Sequence, residues 1–205
     1  MGRIKSALEI ALEKTESVKS DKGSIGQFEA RQKGKKLANE FLEAAEAAGP
    51  GVKSLTEEIK KESADAQKNL KQGIFDVLIS QISLPVVKDD LQRIETAGLG
   101  LHTVIGGKRF GEVIKQFNQI ISQYLDEAAQ YEEAIKRQYA PKLRQKEEEL
   151  SRRLGRAVQL DPFQDPEFVA FYNQHINTLK ANYEAAVDQV REEASLLFND
   201  GQELR

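Results

Sequence analysis

The chain has 205 residues, of which 31% are charged and only 7% aromatic, and its formal net charge at pH 7 is −3. This charge balance gives no overall basic field for nucleic acid. The absence of cysteine excludes disulfides, thiolate metal sites and cysteine nucleophiles. High charge content with few aromatic residues is typical of long helices, whose surface is large compared with the apolar stripe that they bury.

The sequence shows neither a signal peptide nor a transmembrane segment. A signal peptide requires an apolar run of at least about seven residues. Residues 1–12 contain no such run. The longest apolar stretches are far shorter than the roughly 20 residues that span a bilayer. We therefore expect a soluble cytoplasmic protein.

The first two predicted helices cover residues 3–18 and 27–48. Ile4, Leu8 and Leu12 share one face of the first helix at helical spacing. Two glycines near residue 25 separate the helices, and Gly49-Pro50-Gly51 ends the second because proline cannot continue a helix. Gly34 is expected to weaken the second helix by roughly 1 kcal/mol relative to alanine.

The most hydrophobic part of the chain follows, at residues 70–87. It is apolar on more than one face, as in helices that are buried on several sides. Pro85 interrupts it, and a further short helix is predicted to begin at Asp89 and Asp90. Residues 97–107 then contain four of the fourteen glycines, which predicts either a tight bend where helices approach closely or a flexible connector.

The last hundred residues keep the apolar spacing of a coiled coil. Apolar residues, nearly all of them large, recur every three or four positions from Phe110 to Ile135, and again from Tyr172 to Val190. An average step of 3.5 residues keeps one helix seam against another. This spacing predicts a helix over residues 109–158 that is kinked or rewound at Pro141. A second helix over residues 167–198 is predicted to begin with Asp165 as N-cap.

The charges of these two helices are complementary. Residues 136–156 carry eight basic and three acidic residues, whereas residues 161–205 carry nine acidic and three basic ones. The two net charges are therefore +5 and −6. They attract each other if the two helices fold back on one another.

Together these patterns predict an all-α fold, an elongated helical bundle with a long antiparallel coiled-coil-like hairpin. We expect an N-terminal helical region at residues 1–105 and the hairpin at residues 106–205, or one continuous bundle of both. A two-helix hairpin buries only one stripe on each helix, which is usually insufficient alone. Either the N-terminal helices or a second copy must cover it, and a homodimer is favoured.

No catalytic, cofactor-binding or metal-binding pattern is present. His102 and His175 each lack the glutamate three residues earlier that a di-metal helical bundle requires. The glycine-rich segment is no phosphate-binding loop, because His102 stands where a Walker motif needs glycine. The sequence therefore predicts a protein that is not an enzyme and has no cofactor.

We expect a structural or adaptor protein, a scaffold that acts through helical contacts with itself and with protein partners. The candidate interface consists of aromatic residues of the hairpin seam: Phe110, Phe117, Tyr124, Tyr131, Tyr172 and Tyr183. Neither the partner nor the pathway is encoded in a recognisable pattern.

The alternative hypothesis is a peripheral membrane protein. In that case the amphipathic first helix and a basic cluster would contact anionic lipid. The cluster consists of Lys19, Lys22, Arg31, Lys33, Lys35 and Lys36. Nucleic-acid binding through residues 136–156 is disfavoured, because the acidic last helix would repel phosphates from the same hairpin.

Overall fold

The structure is a computed structural model that describes residues 22–48 and 51–203. Within these ranges the chain forms six α-helices and no strand, so the predicted all-α class is confirmed. They are α1 (Lys22–Ala48), α2 (Val52–Lys61), α3 (Ala64–Gln81), α4 (Asp90–Ile105), α5 (Lys108–Leu154) and α6 (Pro166–Glu203), with a 3-10 turn at Pro162–Gln164. The helix predicted over residues 3–18 lies outside the described residues.

Helices α1 and α3 touch backbone to backbone at two glycines. A β-carbon added to Gly34 would lie 2.1 Å from the carbonyl oxygen of Leu70, and one added to Gly73 would lie 2.0 Å from that of Arg31. Such distances are far below van der Waals contact, so only glycine permits this approach. The helix propensity lost at Gly34 is therefore offset by a backbone contact with α3 that a side chain would block.

One large hydrophobic cluster surrounds this contact. Leu70, Ile74 and Leu78 of α3 are fully buried in it, as the apolar segment at residues 70–87 predicts. The cluster extends without interruption to Phe110 of α5 and Phe198 of α6. Helices from residues 1–105 and from residues 106–205 thus share one core.

The glycine-rich segment is mostly helical, so the bend predicted over residues 97–107 is wrong in its extent. Helix α4 passes through Gly98 and Gly100, which are both buried. A β-carbon at Gly98 would meet the Ile114 side chain at 2.8 Å. Only Gly106 and Gly107 turn the chain, with φ of 76° and 80°, values that favour glycine.

Helix α5 continues through Pro141 as one helix of 47 residues. It ends four residues earlier than predicted, at Leu154. Gly155 follows with φ 62°, the left-handed conformation that commonly terminates helices.

We predict that Gly34→Ala destabilises the protein by about 1–3 kcal/mol, the usual range for overpacking. The reason is that the new methyl group would overlap the carbonyl oxygen of Leu70. The measurement is urea unfolding followed by circular dichroism.

The matched control is Gly26→Ala in the same helix, where an added β-carbon meets nothing within 4 Å in the described chain. Alanine there should be neutral or stabilise the helix by up to about 1 kcal/mol. Equal stability of the two variants would contradict the backbone contact.

Candidate functional site

Helices α5 and α6 pack against each other in antiparallel order. The ring centroids of Tyr139 and Phe168 are 5.2 Å apart, and those of Tyr124 and Tyr183 are also 5.2 Å apart. Residue numbers along α6 therefore decrease in the direction in which those along α5 increase. This is the pairing direction that the heptad spacing and the intervening turn predict.

The part of α5 and α6 between residues 124 and 183 forms what we call the arm. Its core consists of two small clusters rather than the large one. Their buried members are Tyr124, Ile176 and Leu179 in one, and Ile135, Tyr139 and Phe168 in the other. Among the described residues, only Leu84 adds a side chain from outside α5, α6 and their connection. Two helices thus hold the arm almost alone.

A buried carboxylate fixes the end of the arm. Asp165 is only 8% exposed and accepts hydrogen bonds from Lys146 Nζ at 2.8 Å and Tyr139 Oη at 2.9 Å. Its other oxygen accepts one from the backbone N–H of Glu167 at 3.1 Å, which confirms the predicted N-cap. The Glu167 carboxylate in turn pairs with Lys146 and with Lys142.

The electrostatics of this cluster suit a structural role. Hydrogen bonds with Lys146 hold the pKa values of Asp165 and Glu167 below their usual range. The Asp165 carboxylate, followed by Glu167, raises the pKa of Lys146, and burial raises the pKa of Tyr139. Each of these shifts favours the form that the group has at neutral pH, with both carboxylates and Lys146 charged and Tyr139 neutral.

The predicted charge complementarity is present in part of the arm. Lys142 and Lys146 pair with carboxylates at the start of α6, whereas Lys136 and Arg152 pair with glutamates one turn earlier in α5. Four exposed arginines of residues 136–156 form no ion pair within the described chain: Arg137, Arg144, Arg153 and Arg156.

The six aromatic residues predicted as an interface divide into three groups. Phe110, Phe117 and Tyr124 are buried in the chain's own core, so they offer no side-chain surface to a partner in this fold. Tyr172 and Tyr183 are partly buried against the arm clusters. Tyr131 is different, because it keeps the seam spacing and is still 47% exposed.

The basic cluster considered for lipid binding is exposed but partly paired within the chain. Three of its members form ion pairs: Arg31 with Asp76, Lys33 with Glu62 and Lys36 with Glu40. Lys35 is partly buried, while Lys19 and the Lys22 side chain lie outside the described residues. None of the described helices combines the length and the apolar character needed to cross a bilayer.

Both histidines contact nearby backbone. Nδ1 of His175 lies 2.8 Å from the carbonyl oxygen of Phe171, and Nε2 of His102 lies 3.2 Å from that of Gly107. Among the described residues, no group of three or more His, Asp or Glu side chains could hold a metal ion.

Sequence reasoning did not identify an exposed loop beside the arm. Val86 is 84% exposed, although it lies in the segment expected to be buried. The carboxylate of Asp90 accepts the backbone N–H groups of Val86 and Val87 at 2.7 and 3.0 Å, which holds the loop in place. A cavity of about 410 Å³ adjoins it, lined in part by Glu184 and Asp188 of α6.

Comparison with known proteins places the chain in a family. Residues 56–195, more than half of the chain, match a family of unknown function, DUF6657. The chain belongs to this family. The arm lies wholly within the DUF6657 match, whereas α1 with Gly34 precedes it. No curated protein and no solved structure matches the chain.

We predict that Asp165→Asn lowers the free energy of unfolding at pH 7 by about 1–3 kcal/mol, because Lys146 loses a charged hydrogen-bond partner. Asparagine retains the capping function, so the variant removes mainly the charge. Urea unfolding measured from pH 7 down to pH 2 checks this.

The pH dependence follows from the pKa direction. A carboxylate whose pKa is lowered by folding stabilises the protein above its ordinary pKa of about 4. That contribution is lost as the pH falls through the folded-state pKa. In acid, the free energy of unfolding of the wild type should therefore approach that of Asp165→Asn. The control is Glu148→Gln, in an exposed pair 3.7 Å from Arg152, with an expected change below about 0.5 kcal/mol. A constant gap between wild type and Asp165→Asn at every pH would contradict the assignment.

Proposed function

We propose that this member of DUF6657 is a non-enzymatic helical scaffold or adaptor whose arm binds protein. The observation that supports it best is Tyr131, an aromatic side chain in seam register that is half exposed on two helices with little other cover. Two paired helices bury only one stripe each, so a partner that covers Tyr131 adds the apolar burial that the arm lacks.

Tyrosine is well suited to this role. Its ring buries a large apolar area with few rotatable bonds, and its hydroxyl group can remain hydrated at the edge of a contact. Tyrosine is accordingly enriched among the residues that dominate interface energies.

The cluster around Asp165 supports the same proposal. Because Lys146 and Tyr139 both bind this carboxylate, the connection between α5 and α6 is fixed before any partner arrives. A preformed surface loses less conformational entropy on binding. A cytoplasmic location, expected from the sequence, stays a prediction.

The test is site-specific photo-cross-linking in the native cell. A benzophenone amino acid replaces Tyr131 on the arm and, in a control variant, Lys60, which is exposed on α2. We expect position 131 to give a cross-linked product of discrete mass and Lys60 to give much less of it. Absence of a product at 131, or equal products at both positions, would contradict the proposal.

A further inference from the structure

The arm and the shared core differ in how much apolar surface they bury. The large cluster of the core draws buried residues from all six described helices, whereas each arm cluster has three. Burial of apolar surface is the main favourable contribution to folding, and regions that bury little of it open at a lower free energy than the rest of a protein. The arm is therefore the less stable of the two parts.

The boundary between the two parts is sharp on both helices. On α5, Ile121 belongs to the large cluster and Tyr124, one turn later, to an arm cluster. On α6, Val187 belongs to the large cluster, and Tyr183, one turn earlier, packs against the same arm cluster. Leu84 packs against both clusters and marks the junction. The pairing of the arm can therefore be lost without removing any buried member of the large cluster.

Pro141 weakens the arm from within. Proline has no backbone N–H, so residue 141 cannot donate the helical hydrogen bond to the carbonyl group of Arg137. Helix α5 continues through this position without that bond. The position lies close to Tyr139, one of the three buried residues of the cluster nearest the connection. A backbone hydrogen bond is thus missing where little apolar packing holds the two helices together.

The hydrogen bonds of Asp165 act in the opposite direction, because they join the two helices of the arm. Lys146 and Tyr139 of α5 bind this carboxylate at the start of α6. Hydrogen bonds to charged groups contribute more than neutral ones, and a carboxylate that is only 8% exposed is screened less than an exposed ion pair. Removing this charge should therefore weaken the arm more than removing an exposed pair.

We propose that the arm opens as a unit while the shared core stays folded, and that the Asp165 carboxylate holds it closed. Such opening needs no partner and goes beyond the proposed function. In the open state α5 and α6 separate from Tyr124 onward and expose the seam residues of the arm, while Ile121 stays in the large core. Tyr131 lies within this unit, so a partner that binds only the closed arm would slow its opening.

Native-state hydrogen exchange of the full chain, followed by mass spectrometry in low concentrations of urea, tests the separate opening. It compares the amides of residues 128–150 in the arm with those of residues 70–80 in the core. We expect the arm amides to exchange at least about tenfold faster. Their rates should share one urea dependence, above zero but smaller than that of the core, because opening the arm exposes less surface than unfolding the whole chain.

Three variants separate the arm from the core. Asp165→Asn should speed exchange in the arm about tenfold, because it removes the charged acceptor. Its control Glu148→Gln, from an exposed pair within α5, should change the arm rates less than about twofold. Gly34→Ala disturbs the contact of α1 with α3, so it should speed exchange in the core. It should leave the arm rates unchanged, because the arm opens with the core still folded.

Equal rates and equal urea dependences for the arm and the core of the unaltered chain would reveal one cooperative unit and overturn the inference. The same conclusion would follow if Gly34→Ala accelerated both regions equally. If Asp165→Asn accelerated the arm no more than Glu148→Gln does, Asp165 would not be the residue that holds the arm closed. The urea series of the unaltered chain decides between one unit and two even if Gly34→Ala does not fold.

Discussion

The rest of the fold depends on the close contact between α1 and α3, in which Gly34 lies against the backbone of Leu70 and Gly73 against that of Arg31. It brings α1 and α3 so close that a single β-carbon would separate them. Gly100 of α4 then packs on side chains from both helices, and Gly98 receives Ile114 of α5. Glycines thus permit the close contacts among α1, α3, α4 and α5, and the large core that they surround also includes one end of α5 and one end of α6.

The sequence predicted the elements that depend on local pattern. Heptad spacing gave the course of α5 and α6 and their seam, and the N-cap at Asp165 was readable because capping involves neighbouring residues. The glycines of α4 were misread, since a glycine that turns the chain and one that admits another helix look alike in sequence. Only the partner helix distinguishes Gly98 from Gly106.

The candidate site shows the same limit. Tyr124 and Tyr131 occupy equivalent seam positions, but one is buried and the other half exposed. Which of them is covered depends on the neighbouring helices and their connections, and no spacing along α5 encodes this. The basic cluster near residue 33 was likewise read as available charge, although its partners Asp76 and Glu62 lie on or beside other helices. Charge patterning was informative at the start of α6, where Lys142 and Lys146 of α5 pair with carboxylates as the opposite net charges predict.

The central claim is that a protein partner covers Tyr131, the half-exposed seam residue of the arm. Photo-cross-linking at position 131 in the native cell tests it most directly, because the reactive group replaces the side chain that the claim concerns. The account predicts a cross-linked product of discrete mass. Absence of that product, or an equal yield from the exposed position 60, would contradict it.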